Sequence, residues 1–217
     1  VGGLGLDNIR HVPRLSRPEL EQALGFTFGG RSLLITFHPA TLDAASSCSQ
    51  MEAVLAALKG LDDTQLLFTM PNADTESRAL IALISRFVAD HPNARAFTSL
   101  GTEKYLSCIA QVDGVIGNSS SGLLEVPSFR KGTINIGDRQ GGRLKASSVI
   151  DCEPTTASVS AAIQQLYSTE FQRTLATVQN PYGSSGASAE IVRILRTMSF
   201  DGLIKKTFYD RPIDGLR

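Results

Sequence analysis

The chain has 217 residues, 42% hydrophobic and 19% charged, with 21 basic residues balancing 21 acidic ones. That length suits one core, or one large domain with a tail, and the neutral balance argues against a general nucleic-acid or membrane-surface role. No stretch approaches the ~20 apolar residues needed to span a bilayer, and Cys48, Cys108 and Cys152, odd in number and far apart, read as reduced cytoplasmic thiols rather than bridges or a metal set.

Val1-Gly2-Gly3-Leu4-Gly5 has neither an initiating Met nor a charged-then-apolar leader, so the chain reads as cut from something longer. Residues 3–18 carry Gly, Pro and Asp-Asn without steady periodicity, which predicts an irregular linker turning helical over 18–24. Its weak pattern suggests that its natural contacts lie elsewhere. Residues 32–37 (Ser-Leu-Leu-Ile-Thr-Phe) form an apolar run of strand length, followed by His38-Pro39 and an Ala/Leu/Met-rich helix over 44–58. The unit recurs as a strand over 65–70, a Pro71-Asn72-Ala73-Asp74 loop and a helix over 75–89. Shorter copies follow: extended 94–98 with a helix over 102–111, then extended 114–116 with a helix over 120–127. Strands at 133–136 and 148–150 and helices at 156–167, 170–178 and 188–198 complete the pattern. The tail from 199 to 217 holds Ile204, Phe208 and Tyr209 among charges, a segment suited to packing on another domain.

Alternating apolar strands and amphipathic helices imply an α/β fold with a doubly wound parallel sheet, whose ligands sit beyond the carboxyl ends of the strands. On that rim fall His38, Asn72, Ser99 with Leu100, Asn118 to Ser121, and Arg139. The segment Val115-Ile116-Gly117-Asn118-Ser119-Ser120-Ser121-Gly122-Leu123-Leu124-Glu125 reads as strand, tight turn and first helical turn. Helix-start amides lack internal partners, so a phosphate can accept from them while Ser119, Ser120 and Ser121 offer hydroxyls and Glu125 reaches for a ribose diol. The plainer reading is that Asn118 or Ser119 caps a helix.

His38 is either a core residue or a rim imidazolium that holds a diphosphate and protonates its departing oxygen. Arg139 and Arg143, in a Gly-rich loop, either grip phosphate bidentately or pair with Asp138 or Asp151. Asn72 bonds a sugar or closes a turn, and Tyr105 is core or stacks on a base. No Walker motif and no strand-linked Gly-x-Gly-x-x-Gly is present, and His11 and His91 support no nucleophilic triad. Neither a metal nor a cofactor is called for.

Five stretches together resemble the hydrolysing UDP-N-acetylglucosamine 2-epimerases of sialic-acid and related nonulosonic-acid biosynthesis. They are Gly5-Leu6-Asp7-Asn8-Ile9, Thr36-Phe37-His38-Pro39, Pro71-Asn72-Ala73-Asp74, Gly117-Asn118-Ser119-Ser120-Ser121-Gly122 with Glu125 and Pro127, and Ile134-Asn135-Ile136-Gly137-Asp138-Arg139-Gln140 with Gly142-Arg143. The resemblance implies the carboxyl-terminal, Rossmann-like half of a glycosyltransferase-B-like enzyme, with residues 1–25 as linker, 26–199 as the UDP-binding domain and 200–217 packing on an absent amino-terminal domain. It implies that Ser119 and Ser120 hold the diphosphate of UDP or UDP-N-acetylglucosamine, with Ser121 and Gly122 also in the UDP site and Glu125 on the ribose. Arg139 and His38 would hold the phosphates, Asn72 the sugar or its phosphate, and Leu100 and Tyr105 the uracil pocket. The family removes the C2 proton with loss of UDP, giving a glycal that is hydrated to N-acetylmannosamine, and the carboxylates credited with that step belong to the absent half. The rivals are a non-hydrolysing epimerase, separated by its products, a glycosyltransferase, which needs an acceptor, and a nucleotide-sugar sensor, which consumes nothing. A homo-oligomer is left open.

Overall fold

The structure, a computed structural model, describes residues 1–39, 46–71 and 77–202. Asn72 and the tail residues Ile204, Phe208 and Tyr209 therefore lie outside the described residues. Six strands form one parallel sheet: β1 (Arg31–Thr36), β2 (Thr64–Thr69), β3 (Ala94–Phe97), β4 (Gly114–Gly117), β5 (Gly132–Ile136) and β6 (Val149–Cys152). Their order across the sheet is β3-β2-β1-β4-β5-β6, with every neighbouring pair parallel. The winding reverses between β1 and β4, which opens a crevice at their carboxyl ends.

Strand alternation explains why both faces are covered. In β1, Leu33 and Ile35 face one core while Leu34 faces the other; in β2, Leu66 and Phe68 are opposed by Leu67 in the same way. The first core is closed by α3 (Ser47–Leu58), α4 (Ser77–Asp90), α7 (Thr156–Leu166) and α8 (Thr169–Thr177). The second is closed by α2 (Arg17–Leu24) and α5 (Gly101–Gln111), with Leu20, Leu106 and Ile109 buried against Leu34, Leu67 and Val115. Each such side chain contributes about 1.5–3 kcal/mol by leaving water. Among the described residues no helix is long and apolar enough to cross a membrane.

Two expectations need correction. Residues 3–18 are not irregular throughout: Gly5–His11 forms α1, with Leu6 and Asp7 buried. Its partner is α9 (Ala187–Thr197), 179 and more positions away along the chain, so local periodicity had nothing to report. The Asp7 carboxylate accepts from the Gly186 amide at 2.5 Å, from the Ser188 amide at 2.8 Å and from the Ser188 hydroxyl, acting as an imported cap for α9. These donors hold its acid at about 2, below the usual value of 3.8. The helix expected over 120–127 also divides, into α6 (Ser121–Leu124) and a 3-10 turn (Val126–Phe129). Pro127 has no amide with which to continue the α ladder.

The tightest point of the sheet is the end of β4. Gly117 has φ 147°, and a Cβ there would stand 1.8 Å from the Thr36 carbonyl oxygen of β1. No side chain can occupy that space. Gly117→Ala is expected to lower unfolding free energy by ~3 kcal/mol or more. Urea denaturation checks this, and a loss under ~1 kcal/mol would mean that the two strand ends part readily.

Candidate functional site

At the mouth of the crevice β1 passes into His38 and β4 into Asn118, and their side and main chains are locked together. The Asn118 side chain accepts from the His38 amide at 2.8 Å through Oδ1 and donates to the His38 carbonyl at 2.8 Å through Nδ2. Asn118 is buried. It caps no helix; the side chain instead replaces the strand ladder where β1 and β4 diverge. From β5, the Arg139 guanidinium donates to the Asn118 carbonyl at 2.9 Å and the buried Gln140 amide donates to the same oxygen at 2.7 Å. His38, Asn118 and Arg139, a hundred positions apart at the extremes, thus share one knot.

The arginine does not pair with Asp138 or Asp151. Asp151 is taken by Lys145, at 2.8 and 2.9 Å, and by the Asn135 amide at 2.7 Å. Arg139 is exposed apart from its contact with Asn118, so the remainder of its fork faces solvent, while Arg143 stands fully on the surface. Burial, and then the positive charge of Arg139, push the His38 acid constant below its ordinary value, so the free imidazole favours the neutral form.

The serine run behaves unevenly. Among the described residues the amides of Ser119 and Ser120 have no protein acceptor, as an anion shelf requires. The Gly122 amide donates to the Ser119 carbonyl at 3.2 Å, and Gly122 has a second task, since a Cβ there would meet Thr133 at 2.6 Å. The Ser121 hydroxyl is turned away from the shelf and donates to Glu125 Oε2 at 2.5 Å. Burial raises the Glu125 acid constant and the Ser121 bond opposes that rise. Tyr105, whose ring packs on the second core, donates its hydroxyl to Ser121 at 2.9 Å. The Leu100 side chain is buried in that core at the start of α5, leaving its backbone at the rim.

The site is therefore a shelf carrying two open amides, the Ser120 hydroxyl, the Ser119 hydroxyl that accepts from the Ser121 amide at 3.4 Å, an arginine fork and an imidazole, with a carboxylate one turn away. An open pocket of about 670 Å³ adjoins it, with Asp138, Lys145, Asp151 and Glu153 in its lining. Three carboxylates against one lysine disfavour a phosphate there.

Comparison with known proteins gives this arrangement its context. The family model described as UDP-N-acetylglucosamine 2-epimerase matches residues 1–196. The chain belongs to that family. The GDP/UDP-N,N'-diacetylbacillosamine 2-epimerase (hydrolyzing) of Campylobacter jejuni is 33% identical over 212 residues, covering 97% of this chain and 55% of that protein. The polysialic acid biosynthesis protein P7 of Escherichia coli is 34% identical over 214 residues, covering 98% of this chain and 54% of its own length. The chain thus spans about half the length of the curated relatives it matches. Among solved structures, the S. aureus MnaA-UDP co-structure superposes with a TM-score of 0.72 at 15% identity, covering 90% of this chain and 52% of that one. That likeness carries the fold of the epimerase family, here seen as a single Rossmann-like half.

Sequence reasoning placed His38, Ser119, Ser120, Glu125 and Arg139 on one rim, and the structure brings them there. It missed Gln140 and the bridging role of Asn118. The available signal was that a strand end immediately after an obligatory glycine must satisfy its backbone from somewhere. Asn118→Ala is expected to cost ~2–4 kcal/mol in urea denaturation, because two backbone groups of His38 lose their partners. Asn118→Asp, which keeps the acceptor but sets a buried carboxylate oxygen against the His38 carbonyl, should cost at least as much.

Proposed function

We propose that this chain is the UDP-binding half of a hydrolysing 2-epimerase that converts UDP-N-acetylglucosamine, or a diacetamido relative, and water into UDP and the free 2-epimeric sugar. The observation that carries the reading is the shared knot of His38, Asn118 and Arg139 beside unpaired amides at the switch point of the sheet. The hydrolysing branch is favoured over the non-hydrolysing one because the Campylobacter jejuni relative is named as hydrolysing.

In this reading the diphosphate sits on the Ser119 and Ser120 amides and hydroxyls and is gripped by Arg139, whose charge stabilises the electron pair that stays with UDP when the sugar C1–O bond breaks. His38 binds as the imidazolium and supplies a proton to that oxygen. Glu125 takes the ribose, and the uracil lies toward the start of α5, near Leu100 and Tyr105. Asn72 remains assigned to the sugar or its phosphate. Loss of the C2 proton to a carboxylate outside this chain gives the glycal, and water adds across it. We place the reaction in the cytoplasm, with the free thiols Cys48, Cys108 and Cys152 kept reduced.

The second wall of the cleft comes from an amino-terminal domain. Val192 and Leu195 on α9 are 45% and 46% exposed, and Phe200 beyond it is 60% exposed, an apolar face that this domain covers. In a complete enzyme the α9 amides should exchange with deuterium more slowly than in this chain.

Titration calorimetry should detect UDP binding by this chain at millimolar ligand, and His38→Ala should weaken it about tenfold, as for one charge-assisted bond. Absence of UDP binding would overturn the proposal. The pH dependence has a definite sign. Free His38 titrates below 6.5, and a neighbouring diphosphate raises that value, so binding takes up a proton and weakens as pH climbs through the raised value. Buffers of different ionisation enthalpy reveal this uptake, which His38→Ala should abolish. A complete enzyme should release free sugar and UDP irreversibly, and an interconverting pair of UDP-sugars would favour the non-hydrolysing reaction.

A further inference from the structure

The second half of the site contains a line of hydroxyls for which nucleotide binding alone gives no reason. It begins on β2, where the Thr69 hydroxyl donates to the Thr36 hydroxyl of β1 at 2.9 Å. The Thr36 side chain in turn faces the Tyr105 hydroxyl of α5. Tyr105 donates to Ser121 at 2.9 Å, and Ser121 donates to Glu125 Oε2 at 2.5 Å. Each hydroxyl has one proton to give, and the acceptor at the end is a carboxylate. From Tyr105 through Ser121 the donation runs in one direction, and the two hydroxyls polarise one another toward Glu125.

We propose that Tyr105 is a positioning residue for ribose recognition: by holding the Ser121 hydroxyl on Glu125 Oε2, it leaves Oε1 aimed at the ribose and so sets preference for a ribonucleotide over its 2'-deoxy counterpart. This rests on the UDP-binding reading above and goes beyond it by assigning sugar selectivity to a residue that does not touch the sugar.

The physical case has three parts. Glutamate has three rotatable bonds and a carboxylate that rotates freely unless one oxygen is held. Glu125 lies at the break between α6 and the 3-10 turn, with φ −106° and ψ −48°, and the Ser121 bond restrains its carboxylate. Ser121 has an alternative, since it lies in the same run as the phosphate shelf and its hydroxyl can swing to an anion there. Donation from Tyr105 occupies a Ser121 lone pair and makes the Glu125-directed rotamer the one with both bonds satisfied. The free oxygen is also kept clear. Glu125 Oε1 lies 3.4 Å from where a Cβ on Gly5 would stand, so the first residue of α1 borders the oxygen without crowding it. The Tyr105 ring packs among the second core, so phenylalanine fills the same volume and removes only the hydroxyl.

The test compares UDP with 2'-deoxy-UDP by calorimetry on this chain. The unaltered chain should bind UDP about tenfold more tightly, as expected for a hydroxyl donating to a carboxylate. Tyr105→Phe should reduce that ratio to about threefold or less, because it weakens UDP more than 2'-deoxy-UDP. Ser121→Ala, which cuts the next link, should likewise compress the ratio and serves if the tyrosine variant fails to fold. Equal weakening of both nucleotides by Tyr105→Phe, or an unchanged ratio in either variant, would overturn the inference and leave the UDP-binding reading standing. A ratio near one in the unaltered chain would do the same. Failure of the unaltered chain to bind either nucleotide would instead remove the reading on which the inference rests.

Discussion

The structure depends on one reciprocal pair of hydrogen bonds, from the Asn118 side chain to the amide and carbonyl of His38. A parallel sheet that reverses its winding must let two neighbouring strands part, and where they part their backbone groups lose the ladder. An asparagine amide is the side-chain match for a peptide group, one donor and one acceptor at the right separation. It continues the sheet by one residue in effigy. Because Gly117 permits β1 and β4 to approach so closely just before, the amide reaches without strain, and the Asn118 carbonyl is left pointing where Arg139 and Gln140 converge on it. One residue thus fixes the relative positions of three loops.

This arrangement lets a chain with no net charge gather positive character at one place. The positive character comes from one arginine fork, two unpaired amides and an imidazole poised to gain a proton, all gathered by backbone geometry rather than by a run of basic residues. Two of the carboxylates nearby are engaged, Asp151 by Lys145 and Asn135, and one oxygen of Glu125 by Ser121. Positive character gathered this way is local, and it leaves the surface as a whole without a basic patch.

The sheet was legible in the sequence because its strands are buried on both faces and read as continuous apolar runs, from Leu33 to Phe37 and from Leu66 to Phe68. Rim positions followed from strand ends. What escaped sequence reasoning depended on distant partners. The segment Gly5–His11 reads as irregular by periodicity, and it is helical because Leu6 finds a core and Asp7 finds the amides at the start of α9. Tyr105 offered two readings, core or base-stacking, and its ring and hydroxyl turn out to serve different ends, a split that spacing along α5 does not encode. Ser121 looked equivalent to Ser119 and Ser120, and only the turn of the chain after Ser120 sends its hydroxyl to Glu125.

The clasp between Asp7 and α9 has a mechanical meaning. Asp7 lies two positions after Gly5, whose Cα borders the open oxygen of Glu125, and its carboxylate grips the very start of the last described helix. Asp7 thus ties the start of α9 to α1, whose first residue stands beside Glu125. The first and last described helices are thereby yoked, so neither can leave the fold without breaking the bonds that hold the other.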